Sequence, residues 1–137
     1  MGSAEVILID THVLLWWTDG KKGALSAAAR KAIDAELDGG EILVSSVSAW
    51  EIALLAAKGR LGLPSDVLGW LEIVDEIEAV RFVPLDNEIA IRSTQLGDEF
   101  HRDPADRFIV ATALTHNASL VTADEKIQRY PHVKTIW

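Results

Sequence analysis

Short apolar runs alternate with amphipathic stretches along the chain. Val6-Ile7-Leu8-Ile9, entered from Glu5, is a run of aliphatic and β-branched residues of strand length. Such a run reads as a strand buried on both faces. Thr11 to Thr18 follows as a short helix, apolar from Val13 to Trp17. After a loop at Lys21-Lys22-Gly23, Ser26 caps a helix over Ala27 to Leu37 that Gly39-Gly40 ends. Glu41 to Val44 is a second strand. Ser46 to Lys58 is a helix with Val47, Trp50, Leu54 and Ala57 at helical spacing, which predicts Trp50 in the core. Pro64-Ser65 opens a helix to about Glu78, Val80 to Val83 is a third strand, and Asp86 to Gly97 is helical. Asp103-Pro104 starts a helix through His116, apolar nearly all round from Phe108 to Leu114 and therefore buried. Ser119 to Thr122 is a fourth strand, Asp124 to Arg129 a short helix, and Thr135 to Trp137 a small edge strand.

Strands alternating with helices predict an α/β fold with a mostly parallel sheet of four or five strands. One domain is expected over residues 1–137, with Met1-Gly2-Ser3 reading as an expression remnant. Ligands of such sheets bind outside the carboxyl ends of the strands, so the residues expected there carry the most information. Asp10 directly follows the first strand and Asp124 follows the fourth. Glu51 lies in the first turns of the helix after the second strand. Asp103 and Asp106 bracket the start of the buried helix.

Each acid also has a purely structural reading. Asp10 or Thr11 caps the helix that follows, and Asp124 caps the next one. Ser48 and Glu51 have capping-box spacing. Asp103-Pro104-Ala105-Asp106 reads as a cap, a first-position proline and an acid near the positive helix end. The conjunction is harder to dismiss. Four separate segments deliver a carboxylate to one sheet edge, and like charges gathered there need a counter-ion. Hard oxygen ligands suit magnesium or manganese.

Charge sharpens this expectation. The 137 residues hold 21 acids against 13 bases, a formal net charge of −8. Nucleic-acid binders usually carry the opposite sign, so action on nucleic acid would require a divalent metal or well-placed arginines. The absence of cysteine excludes disulfides, thiolate catalysis and cysteine-held metal centres. No histidine pair has zinc-ligand spacing. With no apolar stretch long enough for a bilayer and no signal-peptide pattern, a soluble, cytoplasmic protein with no membrane partner is expected.

Four blocks, in order, carry a family resemblance: Ile9-Asp10-Thr11-His12 with Leu15-Trp16; Val44-Ser45-Ser46-Val47-Ser48-Ala49-Trp50-Glu51-Ile52; His101-Arg102-Asp103-Pro104-Ala105-Asp106-Arg107 leading into Ile109-Val110-Ala111-Thr112-Ala113; and Leu120-Val121-Thr122-Ala123-Asp124. The chain resembles PIN-domain ribonucleases of the toxin type found in VapBC toxin–antitoxin modules. The resemblance implies a PIN fold, a central parallel sheet with helices on both faces. It implies a metal-dependent endoribonuclease whose acidic quartet is Asp10, Glu51, Asp106 and Asp124. In that scheme Asp10, Asp106 and Asp124 hold Mg2+ or Mn2+, and Glu51 ligates a second metal or orients the attacking water. Asp103 matches an accessory acid and Thr122 a small hydroxyl residue near the site. The implied partners are an RNA substrate, a cognate antitoxin and a second copy in a homodimer. The antitoxin groove and dimer contact would involve the first helices and the helix pair near residues 46–78.

The remaining candidates have two readings each. Arg107 is a surface ion pair or a phosphate contact; Lys58, Arg60 and Arg102 divide the same way. His12 and His101 flank the site but read as structural hydrogen-bonders. Of the adjacent Trp16 and Trp17, one is expected to be exposed. Alternatives to the toxin are a PIN nuclease in RNA processing and a non-catalytic PIN-like binding module. A signalling receiver domain would need adjacent acids near the end of the first strand and a lysine after a late one; Asp10 stands alone and Asp124 takes the lysine's place.

Overall fold

The structure, a computed structural model, describes residues 6–20, 23–98, 100 and 103–137. Met1-Gly2-Ser3, Glu5, the Lys21-Lys22 pair, His101 and Arg102 lie outside the described residues. The elements in chain order are β1 (Val6–Ile9), α1 (Thr11–Asp19), α2 (Ala27–Leu37), β2 (Glu41–Ser45), α3 (Ser46–Ala57), α4 (Val67–Asp75), β3 (Val80–Val83), α5 (Asn87–Ser93), α6 (Pro104–Thr115), β4 (Ser119–Val121), α7 (Glu125–Arg129) and β5 (Thr135–Ile136).

The five strands form one sheet in the order β3-β2-β1-β4-β5, with every neighbouring pair parallel. Side chains alternate between its faces, as the two-residue period of a strand requires. Ile7, Ile9, Ile42, Val44 and Val121 face one layer, with Val13 and Leu14 of α1, Ala29 and Ile33 of α2, and Trp70 and Val74 of α4. Leu8, Leu43 and Leu120 face the other, with Ile109, Val110 and Ala113 of α6 and Ile127 of α7. Covering both faces explains why the strands are apolar throughout rather than alternating. The chain builds outward from β1 through β2 to β3, then returns to lay β4 on the other side of β1. The order therefore reverses between β1 and β4, and a crevice forms at their carboxyl ends.

Two predicted helices are shorter than expected, each for a local reason. Asp66 rather than Pro64-Ser65 opens α4, with its Oδ1 accepting from the Gly69 N–H at 2.6 Å. α5 stops at Ser93 rather than Gly97. The Ser93 and Thr94 hydroxyls donate back to the Ala90 and Ile91 carbonyls at 2.6 and 2.7 Å, the local competition that ends helices. Trp50 is also corrected. It is 58% exposed, because the buried arc of α3 runs through Val47, Ser48 and Ile52. At about 100° per residue, Trp50 lies about 160° from Ile52. Trp16 and Trp17 are both half-buried against the α1–α2–α4 layer, so neither is the fully exposed member of the pair. Among the described residues no helix is long and apolar enough to cross a membrane.

In the turn from α2 into β2, Gly40 has no room for a side chain. A Cβ on Gly40 would meet Glu36 Oε1 and approach Glu36 Cα and O to 2.9 Å. Gly40→Ala is therefore expected to cost on the order of 1–3 kcal/mol in denaturant unfolding, the usual range for overpacking. Gly62, with nothing within 4 Å, is the control: Gly62→Ala should leave the midpoint nearly unmoved.

Candidate active site

The β1–β4 pairing brings the first and last acids together. The ladder runs one residue past β1, where the Asp10 N–H donates to the Val121 carbonyl at 3.0 Å. The Asp10 carboxylate is then held from two sides, accepting from the Thr11 N–H at 2.8 Å and from the Thr122 hydroxyl at 2.7 Å. Thr122 is fully buried, and its Oγ1 also accepts from the Asp124 N–H at 3.1 Å. One hydroxyl therefore ties the residue after β1 to the residue starting α7.

Glu51 comes from the neighbouring crossover. It stands on the second turn of α3, and its Oε1 accepts from the Thr11 hydroxyl at 2.5 Å. The capping box read from Ser48 and Glu51 does not form. Ser45 caps α3, accepting from the Val47 N–H at 3.0 Å, which places Ser48 and Glu51 inside the helix. The structural readings of Asp103 and Asp124 do hold. Asp103 caps α6, accepting from the Asp106 N–H at 3.3 Å, with Pro104 at the first position. Asp124 caps α7, its Oδ1 accepting from the Lys126 and Ile127 N–H groups at 2.8 and 3.2 Å.

Capping does not remove these acids from the site. Asp10, Glu51, Asp103, Asp106 and Asp124 line one open cavity of about 460 Å³ with His12, Trp16 and Ala123. Burial pushes the Asp10 carboxyl above the usual range, against the opposing Thr122 and Thr11 hydrogen bonds. Burial also raises Glu51, with Asp10 and Asp103 repelling it and the Thr11 bond opposing. Asp106 is pushed up to about 7, first by burial and then by the charges of Asp103, Asp10, Asp124 and Glu51.

The donor chemistry suits a hard divalent cation, since the lining is carboxylate-rich and the acids repel one another without one. Among the described residues, no three acid or histidine side chains are drawn tightly enough to form a ready cage. Asp10, Glu51 and Asp124 are each held by hydrogen bonds from backbone N–H or hydroxyl groups.

Arg107 is not directed at this cavity. Its guanidinium donates to the Ser93 and Phe100 carbonyls at 3.2 and 3.0 Å and lies 5.7 Å from the Phe100 ring centre. These contacts tie the α5–α6 connection to α6. Sequence reasoning passed over Lys126 and Arg129. With Asp103, Asp106, Asp124 and Glu125 they line an adjoining cavity of about 500 Å³. Their spacing of three on the helix begun by Asp124 was the available signal.

Residues 7–133 match the family described as PIN domain. The chain belongs to the PIN-domain family. It is 38% identical over 133 residues to Ribonuclease VapC22 of Mycobacterium tuberculosis, covering 96% of this chain and 98% of that one. The fold is also similar to a structure of VapBC2 from Rickettsia felis bound to a promoter DNA fragment. There the TM-score is 0.69 at 14% identity, covering 95% of this chain and 96% of that one. A DNA-bound VapBC structure from Salmonella typhimurium gives a TM-score of 0.69 at 18% identity, covering 97% of each chain.

The acid cluster makes a stability prediction for the metal-free protein. Asp106 titrates near 3.8 when unfolded and at about 7 when folded, so the folded state holds the proton more tightly. The resulting stabilisation is complete below pH 4 and is lost as pH rises to about 7. Thermal melts without metal should show this group's contribution falling across that window. Asp106→Asn should flatten the fall and raise the neutral-pH melting temperature by a few degrees. A mutant less stable than the parent at neutral pH would mean that the charge of Asp106 at the positive end of α6 outweighs the repulsion.

Proposed function

We propose that this PIN-domain protein is a metal-dependent endoribonuclease, the toxin of a toxin–antitoxin pair, which cleaves RNA phosphodiester bonds with Mg2+ or Mn2+. The observation that carries the reading is the single cavity lined by Asp10, Glu51, Asp106 and Asp124, which four separate segments deliver to the β1–β4 switch point. The 38% identity with Ribonuclease VapC22 supports it over nearly the whole chain. Asp10, Asp106 and Asp124 would hold the cation, with Glu51 beside them and Asp103 as accessory acid. A bound cation would lower the pKa of water and neutralise charge on the phosphate.

The chain's own residues prepare the site in three ways. Thr122 and the Thr11 N–H hold the Asp10 carboxylate in one orientation. Capping fixes Asp124 against the start of α7. Lys126 and Arg129, on the wall shared with Asp106 and Asp124, would take flanking RNA phosphates, the role considered for Arg107. These two cations offset locally an overall charge that repels RNA.

An antitoxin is the proposed protein partner. Its support is a groove of about 500 Å³ between α1, α3 and α4, lined by Leu15, Trp16, Leu55, Leu61, Leu63 and Trp70 among others and continuous with the acid cavity at His12 and Trp16. A homodimer is proposed through the exposed Trp50, which lines a separate apolar hollow with Leu85 and Phe108.

Two experiments test the proposal. Asp10→Asn should reduce manganese-dependent RNA cleavage to background while circular dichroism stays native; full cleavage by the folded variant would remove the assignment. Co-expression with the product of the adjacent gene should give a stable complex that suppresses cleavage. A harmless chain that captures no neighbour would count against a toxin.

A further inference from the structure

Two buried hydroxyls behind the cavity take no direct part in the cleavage described above. Thr11, the first residue of α1, is 1% exposed, and Ser48 on α3 is 0% exposed. Neither caps a helix, since Asp10 and Ser45 fill those positions. Hydroxyls inside helices commonly bond back one turn to a carbonyl. Thr18 and Thr112 do so here, each at 2.7 Å, to Leu14 and Phe108. Thr11 and Ser48 instead bond across from α1 to α3.

Thr11 Oγ1 donates to Glu51 Oε1 at 2.5 Å and lies 2.8 Å from Ser48 Oγ. A threonine hydroxyl carries one hydrogen. With that hydrogen directed at Glu51, the contact between hydroxyls is a bond only if Ser48 donates. The direction is therefore fixed: Ser48 to Thr11 to Glu51. We propose that Ser48 and Thr11 form a two-step hydroxyl relay that positions the Glu51 carboxylate at the cavity, Ser48 acting on Glu51 only through Thr11. The proposal rests on reading Glu51 as part of the cation-dependent site.

The energetics favour such a device. Glu51 stands on one element and the acids it faces stand on others, with Asp10 and Asp103 repelling it. Its side chain has several torsions through which repulsion would swing the carboxylate outward. A donor fixed on α1 opposes that swing. A second hydroxyl donating to the first strengthens it, because hydrogen bonds in a chain polarise one another in a low-dielectric interior. Thr122, the residue after β4, likewise donates to Asp10.

The test compares Thr11→Val, Thr11→Ser, Ser48→Ala and the double variant Thr11→Val/Ser48→Ala. Each is read by calorimetric titration with manganese and by the side-chain carboxyl carbon signal of Glu51 in the metal-free protein. Thr11→Val keeps the shape of the side chain but removes both the donor to Glu51 and the acceptor of the buried Ser48 hydroxyl, and the double variant removes that unpaired hydroxyl as well. With Glu51 taken as the ligand of a second cation, Thr11→Val should weaken manganese binding about tenfold, at the low end for a residue that orients a metal ligand. Thr11→Ser should recover most of that loss, Ser48→Ala should lose less than Thr11→Val, and the double variant should be no weaker than Thr11→Val. The Glu51 signal should move in the same direction in Thr11→Val and Ser48→Ala and return in Thr11→Ser. Additive losses, or no recovery with serine, overturn the relay. A parent that takes up no manganese removes the cation reading, and the carbon signal then decides alone: movement in Ser48→Ala sustains the relay, and an unmoved signal overturns it.

Discussion

The parallel pairing of β1 with β4 is the constraint on which the carboxyl edge depends. It places Ile9 opposite Val121, and one step further it places Asp10 beside Thr122. A one-residue slip would turn every β4 side chain to the wrong face. It would drive Leu120 and Val121 out of their layers and break the Thr122 bridge together. The hydrophobic pattern that sets the register therefore also sets the acids. Core and site are specified by the same residues, and this explains how a three-residue strand can position a carboxylate.

Capping and site formation proved to be compatible. Asp10, Asp103 and Asp124 each use one carboxylate oxygen on backbone N–H groups at the start of a helix. An ionised carboxylate has about four acceptor positions on two oxygens, so one oxygen can anchor the side chain while the group still faces the cavity. Helix starts also supply positive potential, which lowers the cost of holding several negative groups close together. Asp106 lies inside the first turn of α6, yet burial and then the charges of its neighbours still push it up to about 7. The helix ends support the cluster without neutralising it.

Much of this was legible in the sequence because the signals were local or periodic. Apolar runs of strand length located β1 to β4, and Ser26, Asp103-Pro104 and Asp124 marked helix starts through their capping chemistry. Asp10, Asp103, Asp106 and Asp124 were legible because each follows a strand end or lies at the start of a helix, and Glu51 because it stands in the early turns of the helix after β2. What escaped depended on rotation or on contacts between distant segments. Trp50 shares helical spacing with Val47, yet the buried arc of α3 is centred towards Ser48 and Ile52, and periodicity alone does not fix the centre of an arc. Arg107 looked available for phosphate because the carbonyls that occupy it, on Ser93 and Phe100, come from the end of α5 and the following turn. The Thr11–Ser48 contact joins residues 37 apart, beyond the reach of any local rule.

The charge balance now has a spatial explanation. A chain with a formal charge of −8 makes a poor general binder of RNA, because phosphate contacts dominate such affinity. Concentrating acids at the switch point makes the proposed cation the element that offsets repulsion at the cleavage position. Lys126 and Arg129 stand beside that position, and Arg129 is already partly engaged with Glu125 at 3.4 Å. Two cations beside a carboxylate-rich cavity favour a substrate that meets metal and flanking phosphate contacts together over one held along a broad basic surface. An RNA lying elsewhere on the surface would meet the repulsion without that compensation. Acidity thus works as selectivity in the proposed enzyme: it rejects RNA everywhere except where the phosphate backbone and the cation coincide.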